Sequence, residues 1–240
     1  MSAAAPELSV LLPAFNEAES LPQVWSELGA VLEELARPAE VIFIDDGSTD
    51  RTPEIVRSIR GADPRVRLIR LAANGGLSTA LAAGLERVRG SIVITMDTDL
   101  QNDPRDIPRM LASLEGYDAV TGWRQHRDDP WLKRASSRIA NAVRNAVTGD
   151  HVRDSACTLR VIRRRCLACL PRFRGFHRFV PTLLRLGGCR VLELPVNHRA
   201  RRFGVSHYGI RNRALVAFED LLAVRWMQDR WLRYDATEEP

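Results

Sequence analysis

The segment SIVITMDTDLQND, residues 91–103, gives the clearest indication of the fold of this chain. It begins with a β-branched, mostly apolar run of strand length, and acids and amides follow that run at once. Three comparable runs precede it, at 8–12, 40–44 and 66–69. Helix-like patterns alternate with these runs, at 17–36, 52–60, 77–88 and 105–115. The alternation predicts an α/β fold in which helices cover a mostly parallel central sheet.

The polar segments after the strand-like runs are the expected place for chemistry, because ligands of such sheets gather at the carboxyl ends of the strands. These segments are PAFNE (13–17), DDGSTD (45–50), NGG (74–76) and DTDLQND (97–103). Ordinary loops would be polar too, but they would not repeatedly place carboxylates directly after an apolar strand. We therefore expect one site built from several strand ends.

Asp97 and Asp99 are the candidate metal ligands of that site. Two carboxylates one residue apart in a turn can reach a common point, and hard oxygen ligands suit Mg²⁺ or Mn²⁺. Gln101 could add a carbonyl oxygen. The alternative is a structural turn, since turns favour aspartate anyway.

The other polar segments allow both a binding and a capping interpretation. Asp46 could accept hydrogen bonds from a base or ribose, while Gly47 permits a tight turn. Capping is the alternative for the rest of the segment, because Ser, Thr and Asp commonly begin helices and Pro53 lies near the start of one. By the same argument we expect caps at Asn16 and at one of the residues 48–50, and at Asp103 before Pro104.

The second half of the chain is basic and less regular. Residues 1–120 carry 11 Lys and Arg against 19 Asp and Glu, whereas residues 121–240 carry 24 against 11. Nearly all the cations are arginine, whose planar fork suits phosphate oxygens, although a composition bias is an equal explanation. We expect a basic loop at 122–129, a helix at 131–147, a strand at 189–196 and a second basic loop at 198–209.

The basic half indicates an anionic partner such as a phosphate compound or an acidic membrane surface. A nucleic acid is disfavoured, because the acidic strand ends would repel its backbone and no nucleic-acid motif is present. A Rossmann dehydrogenase is disfavoured as well, since no glycine-rich phosphate turn follows the first strand. The four cysteines do not form paired metal-binding spacings, so we expect reduced thiols.

The combination of PAFNE, DDGSTD, NGGLSTAL and ITMDTDLQNDP, in this order and spacing, resembles family 2 glycosyltransferases of the GT-A fold. It looks closest to the dolichol-phosphate mannosyltransferase group and its bacterial polyprenyl-phosphate relatives. The resemblance covers residues 8 to about 210. It implies a catalytic domain at 1–209, followed by a C-terminal helix and tail at 210–240.

The resemblance also implies residue roles. Residues around the nucleotide sugar would be Pro13, Phe15, Glu17, Ile44, Asp46, Asp97, Thr98, Asp99, Arg124, Arg201 and His207. Metal ligands would be Asp97, Asp99 and Gln101, with Mg²⁺ or Mn²⁺ as the cofactor. Catalytic roles would fall to Asp99, Arg124 and Arg201, the last in a loop that closes over the donor. His207 departs from the family, which usually has lysine there, so its phosphate contact would be neutral, shorter or pH-sensitive.

The implied reaction is an inverting transfer of a hexose from a GDP-mannose or UDP-glucose type of donor to a polyprenyl or dolichyl phosphate. The basic cluster beside Arg124 favours a phosphate acceptor, which we assign to Arg127, Arg134 and Arg138. Its alternative is a solvated helix face. A hydroxyl acceptor is the second hypothesis for the reaction, and it would require a general base such as Asp103 or Asp154.

We expect neither a secretory signal nor a membrane-spanning helix, and therefore a cytoplasmic protein on the inner face of a membrane. The segment after Ile210 predicts one amphipathic helix, with apolar positions at Leu215, Phe218, Leu222, Trp226 and Trp231. Its aromatic and arginine content is typical of a helix in the membrane interface. Packing on the catalytic domain is an equal alternative, and a membrane-spanning partner subunit is a third.

Overall fold

The computed structural model describes residues 5–125, 141–200 and 210–232, with side chains in the last segment from residue 216 onward. Within these ranges, seven strands form one sheet: β1 (Leu8–Ala14), β2 (Ala39–Asp45), β3 (Val66–Arg70), β4 (Ile92–Thr95), β5 (Ala119–Arg124), β6 (Arg160–Arg163) and β7 (Val191–Val196). Their order across the sheet is β3-β2-β1-β4-β6-β5-β7. All neighbouring strands are parallel except for β6, which runs antiparallel to β4 and β5. The predicted mostly parallel α/β sheet is confirmed.

Helices connect and cover these strands. They are α1 (Leu21–Leu35), α2 (Thr52–Ala62), α3 (Leu77–Leu85), α4 (Ile107–Ala112), α5 (141–148), α6 (Val180–Leu186) and α7 (Ile210–Asp229). Short 3₁₀ helices occur at Pro104–Asp106, Arg164–Cys169 and Phe176–Arg178. No described helix is both long and apolar enough to cross a membrane.

Both faces of the central strands are buried. Along β1, Leu8, Val10 and Leu12 point into the core beneath α1, α2 and α4, while Leu11 points to the opposite core beneath α3 and α6. Strands buried on both faces read as continuous apolar runs, which is why the sequence revealed them. Gly84 allows α3 to approach closely, since a Cβ there would lie 2.9 Å from Ile44 Cδ1.

Three sequence expectations need correction. The basic loop expected from Gly122 is in fact strand β5 up to Arg124, because its residues pair with β7. Strand β6 was missed, since arginines at both of its ends mask its apolar centre. The helix expected at 17–36 begins only at Leu21, because residues 15–20 form a separate loop.

Helix α7 has two apolar faces. Leu221 and Val224 are buried against the core that includes α6. Phe218, Leu222 and Trp226 lie outward, with exposed fractions of 49%, 49% and 60%. The helix therefore packs on this core with one face, and the apolar positions expected from the sequence largely form the other.

Candidate active site

The carboxyl ends of β1, β2 and β4 meet at one edge of the sheet. Ala14 and Asp45, the last residues of β1 and β2, are directly paired across the two strands. β4 lies on the other side of β1 and ends at Thr95, just before the DTDLQND segment. The sheet thus brings three of the four polar segments together, and the NGG segment joins them through Asp46.

Asp97 and Asp99 lie in a tight turn after β4. Leu100 adopts a left-handed conformation with φ 65°, and Gln101 N donates to Asp99 Oδ1 at 3.1 Å. Asn102 Oδ1 accepts from Asp97 N at 3.1 Å, so the turn closes on itself. Thr98 Oγ1 donates to the carbonyl of Pro13 at 2.9 Å, which fastens the turn to the end of β1.

Burial and the neighbouring Asp99 both disfavour the ionised form of Asp97. Burial, and then the negative charge of Asp99, raise the pKa of Asp97 to about 6. A hydrogen bond from Thr158 and the positive charges of Arg160 and Arg124 act in the opposite direction. A divalent cation between the carboxylates would relieve this repulsion, so the donor set fits Mg²⁺ or Mn²⁺.

The protein offers only part of a metal shell there. Across the described parts of the chain, no group of three or more His, Cys, Asp or Glu side chains is arranged to hold a metal ion. A cation at Asp97 and Asp99 would therefore need other oxygen ligands, as Mg²⁺ commonly takes from phosphate and water.

Gln101 faces the strap that follows β7, which we define as residues 197–200. Its Nε2 lies 3.3 Å from His198 Nε2, and its backbone carbonyl accepts from Arg199 N at 2.9 Å. Asn102 and His198 also form a backbone bridge. The strap thus forms one wall of the acidic turn, and the role of Gln101 as a metal ligand stays a prediction.

Arg199 anchors the strap. Its guanidinium lies 2.6 Å from a carboxylate oxygen of Glu27 and 3.0 Å from one of Asp103. Asn197 N also donates to Asp106 Oδ2 at 2.7 Å. From the sequence, His198 and Arg199 were expected at the start of a basic loop. Their contacts are with residues about 100 or 170 positions earlier in the chain, so no local sequence pattern could predict them.

Asp46 shapes the loop after β2. Its two carboxylate oxygens accept from Gly75 N and Gly76 N, each at 2.8 Å, and burial raises its pKa. Gly47 has φ 74°, and a Cβ there would lie 2.7 Å from the backbone of Ala73 and Asn74. Asp46 therefore fastens the NGG segment to the end of β2, while its predicted contact with a nucleoside stays a prediction.

The loop after β1 is joined to the loop after β2. Asn16, with φ 55°, donates its backbone N–H to Ser48 Oγ and accepts from Thr49 N, both at 2.9 Å. Asn16 therefore does not cap α1, contrary to expectation. Glu17 N donates to Thr52 Oγ1 at 2.9 Å, which adds a third link between the loops.

The other residues predicted around a nucleoside are placed differently. Pro13 and Phe15 are partly buried at the sheet edge, whereas Ile44 is fully buried in the core beside Gly84. Ile44 can therefore contact a nucleoside only through its backbone.

The expected cap at Asp103 is confirmed, because its side chain accepts from Arg105 N at 3.1 Å. The N-cap of α2 is Arg51, so the cap expected at one of the residues 48–50 is not found, although Asp50 accepts from Thr52 N at 2.9 Å.

Arg124 ends β5 and forms a two-bond ion pair with Asp154. Arg124 Nε and one terminal nitrogen donate to the two oxygens of Asp154 at 2.6 and 2.9 Å, and both side chains are largely buried. Arg160 of β6 is fully buried nearby and donates to the carbonyls of Ser155 and His177. Arg160 was not among the predicted site residues, because it lies in an arginine-rich run.

Five predicted residues lie outside the described ranges. They are Arg127, Arg134, Arg138, Arg201 and His207. Their assignments to the acceptor phosphate, the donor loop and a pH-dependent phosphate contact stay predictions.

Residues 9–170 match the family model described as glycosyl transferase family 2. The chain is 38% identical over 204 residues to undecaprenyl-phosphate 4-deoxy-4-formamido-L-arabinose transferase of Salmonella paratyphi A, covering 84% of this chain and 62% of that protein. The protein of the same name from Aeromonas hydrophila is 37% identical over 205 residues, covering 85% and 63%. The chain thus spans somewhat less than two thirds of the length of these relatives.

Solved structures show the same fold. Glucosyl-3-phosphoglycerate synthase from Mycobacterium tuberculosis, in complex with Mg²⁺ and uridine diphosphate, has a TM-score of 0.68 at 22% identity, covering 92% of this chain and 80% of that chain. The same enzyme with Mn²⁺, uridine diphosphate and phosphoglyceric acid has a TM-score of 0.68 at 20% identity, covering 96% and 81%. The likeness confirms the GT-A fold that the sequence predicted.

Proposed function

This chain belongs to glycosyl transferase family 2, and on that premise we propose that it transfers a sugar, with inversion, from a nucleotide-diphosphate donor to a polyprenyl phosphate. The observation that carries the proposal is the 38% identity over 84% of the chain to a relative whose name specifies an undecaprenyl-phosphate acceptor. That name also specifies a modified arabinose, so the donor sugar need not be the hexose of our first hypothesis.

The site supports a phosphate acceptor. A lipid monophosphate is ionised near neutral pH, so one of its oxygens can attack the anomeric carbon without a base. A bond then forms from that oxygen to the anomeric carbon while the bond to the diphosphate oxygen breaks on the opposite face. A hydroxyl acceptor would instead have to lose a proton to a base.

Both candidate bases, Asp154 and Asp103, already form hydrogen bonds with arginine side chains. Asp154 uses both oxygens in its pair with Arg124. Burial alone would raise the pKa of Asp103, but hydrogen bonds from Arg105 and Arg199 outweigh burial and hold the pKa below its ordinary value. A carboxylate held in this way is a poor proton acceptor, which favours the phosphate over the alcohol.

The remaining residues would stabilise the leaving group. Asp97, Asp99 and Gln101 would hold Mg²⁺ or Mn²⁺, which would neutralise charge that develops on the departing nucleotide diphosphate. We assign Arg124 to the same task, since its positive charge acts on Asp97, where it opposes the larger effect of burial on the pKa. The solved enzyme named above was crystallised with Mn²⁺ or with Mg²⁺, each time together with uridine diphosphate, which supports a divalent metal in this chain.

The outward face of α7 supports contact with a membrane. Phe218, Leu222 and Trp226 follow one another at intervals of four residues, so they lie on one side of the helix. Arg225 and Arg230 flank them, and apolar side chains among cations are typical of a helix lying on anionic lipid. We include peripheral membrane binding in the proposal, and a membrane-spanning partner subunit remains a separate hypothesis.

Vesicle flotation tests the membrane contact. Trp226→Asp should reduce binding to vesicles that contain phosphatidylglycerol, because it places a charge in the apolar face. Tyr117→Asp is the matched control, since Tyr117 is an exposed aromatic residue away from α7. Equal binding by both variants and the wild type would contradict the assignment.

A paired-acceptor assay tests the reaction. Purified protein is incubated with labelled nucleotide sugars, including a nucleotide-linked 4-deoxy-4-formamido-L-arabinose, and with either undecaprenyl phosphate or undecaprenol. We expect label in organic-extractable product only with the phosphate, and an anomeric configuration opposite to that of the donor. Transfer to undecaprenol at an equal rate would replace this proposal with the hydroxyl-acceptor hypothesis.

A further inference from the structure

A recess lies at the opposite end of the sheet from the candidate active site. It is a groove of about 770 Å³, between the start of β1 and β4 on one side and the end of α4 on the other. The sheet separates the two sites, since β1 has seven residues and spans roughly 20 Å at the rise of a strand. The volume is within the range of small-molecule sites.

The groove is rich in arginine. Four guanidinium groups and two carboxylates line it, from Arg37, Arg163, Arg164, Arg165, Glu7 and Glu115. Glu7 neutralises Arg37, with 2.5 Å between the charged atoms, and Asp118 neutralises Arg165 at 2.6 Å. The other two arginines have different partners.

Arg163 and Arg164 bind carbonyl oxygens. Arg163 donates to the carbonyls of Tyr117 and Leu114 at 3.1 and 3.2 Å, and Arg164 donates to that of Arg89 at 3.3 Å. Among residues 5–125, 141–200 and 210–232, no carboxylate lies within ion-pair distance of either guanidinium. These bonds orient the two cations without neutralising them. Glu115 is the remaining acid of the lining, so the groove keeps a small excess of positive charge.

The floor of the groove is apolar. Ile92, Leu111 and Leu114 line it and are themselves almost completely buried. A ligand that suits the whole groove would therefore combine an anionic group for the arginines with a compact body of low polarity for the floor.

We propose that this groove binds a small phosphorylated molecule of nucleotide size, at a site separate from the sugar-transfer centre. Guanidinium groups recognise phosphate oxygens by charge-assisted hydrogen bonds, which are shorter and stronger than neutral ones. The site adds a binding function to the proposed transferase and does not depend on the identity of the sugar or the acceptor.

Isothermal titration calorimetry with EDTA present tests the proposal, with inorganic pyrophosphate and ADP as the two probes. EDTA removes the divalent metal on which diphosphate binding at Asp97 and Asp99 would rely. We expect saturable binding of both probes, tighter for ADP because its nucleoside contacts the apolar floor. Affinity should fall as ionic strength rises.

Arg164→Gln is the diagnostic variant, because Arg164 is exposed and its loss removes one uncompensated charge. This variant should bind both probes about tenfold more weakly than the wild type, which is the effect expected from the loss of one hydrogen bond to a charged group. Arg172→Gln is the matched control, since Arg172 is exposed and lies outside the groove. Unchanged thermal midpoints would show that both variants are folded, and their sugar-transfer rates should equal that of the wild type.

Three results would overturn the proposal. They are absence of binding by the wild type, equal affinity of Arg164→Gln and the wild type, and equal weakening by Arg172→Gln. Loss of transfer activity in all proteins, with groove binding retained, would refute the proposed reaction and leave this site intact.

Discussion

Replacing Asp97 with Asn should stabilise the metal-free protein near neutral pH. Burial and the charge of Asp99 raise the pKa of Asp97 from 3.8 to about 6. Ionising this carboxyl in the folded protein therefore costs about 3 kcal/mol more than in the unfolded chain, at about 1.4 kcal/mol for each factor of ten. Asparagine carries no charge and avoids that cost.

The effect has a defined pH dependence. Because the pKa is higher in the folded state, the proton bound by Asp97 adds stability that is complete below about pH 4 and is lost as the pH rises through about 6. At pH 8 we expect the free energy of unfolding of Asp97→Asn to exceed that of the wild type by about 1–3 kcal/mol. The lower part of that range allows for the cost of burying the amide. The difference should vanish near pH 4.

Urea unfolding from pH 4 to 8 with EDTA measures this difference. Asp118→Asn is a control of opposite sign, because Arg190 N and Arg165 hold the pKa of Asp118 below its ordinary value, so its substitution should destabilise the protein. Adding Mn²⁺ should then raise the stability of the wild type but not that of Asp97→Asn. An Asp97→Asn protein less stable than the wild type at pH 8, or equally stabilised by Mn²⁺, would refute the interpretation of the acidic turn.

Three further predictions concern the surroundings of the site. Gly47→Ala should lower the free energy of unfolding by about 1–2 kcal/mol or more, because φ is 74° and the new Cβ meets backbone at 2.7 Å; urea unfolding measures it, and an unchanged midpoint would contradict it. Asp154→Asn should lower kcat for sugar transfer at least about tenfold, because it releases Arg124 from its ion pair. Asp229→Asn, on the exposed end of α7, is the control and should keep the wild-type kcat. Equal kcat values for Asp154→Asn and the wild type would show that the Arg124–Asp154 pair is not needed. Burial raises the pKa of the Cys157 thiol to about 12, so iodoacetamide should modify it only after unfolding; rapid labelling of the native protein, located by mass spectrometry, would disagree.

The first half of the fold was predictable from sequence because its strands are buried on both faces. Runs such as LSVLL and EVIFI have no polar alternation, and the helices between them keep their own period. The second half was harder, because Arg160 and Arg163 bracket β6 and make a buried strand look like part of a basic loop. The structure of that segment is determined by its pairing with β4 and β5, and no local sequence pattern reveals this pairing.

Some residues of the candidate site could likewise be predicted from the sequence, and others could not. Asp97, Asp99 and Asp46 could be selected because they directly follow apolar strands. Asp154 was considered only as a base, yet it lies 2.6 Å from Arg124, a residue 30 positions earlier in the chain. The strap residues His198 and Arg199 meet the acidic turn and α1 only after folding, and no spacing in the sequence could reveal such contacts.

The most direct test of the account is the rate of sugar transfer to undecaprenyl phosphate by Asp99→Ala, compared with the wild type and with Glu115→Gln, in Mn²⁺ and in EDTA. Glu115 is an exposed acid at the far end of the sheet, so it is a matched control for loss of negative charge. We predict Mn²⁺-dependent label in the lipid product for the wild type and Glu115→Gln, and none for a folded Asp99→Ala. Normal turnover by Asp99→Ala, or full wild-type activity in EDTA, would contradict the assignment of the acidic turn as the catalytic centre.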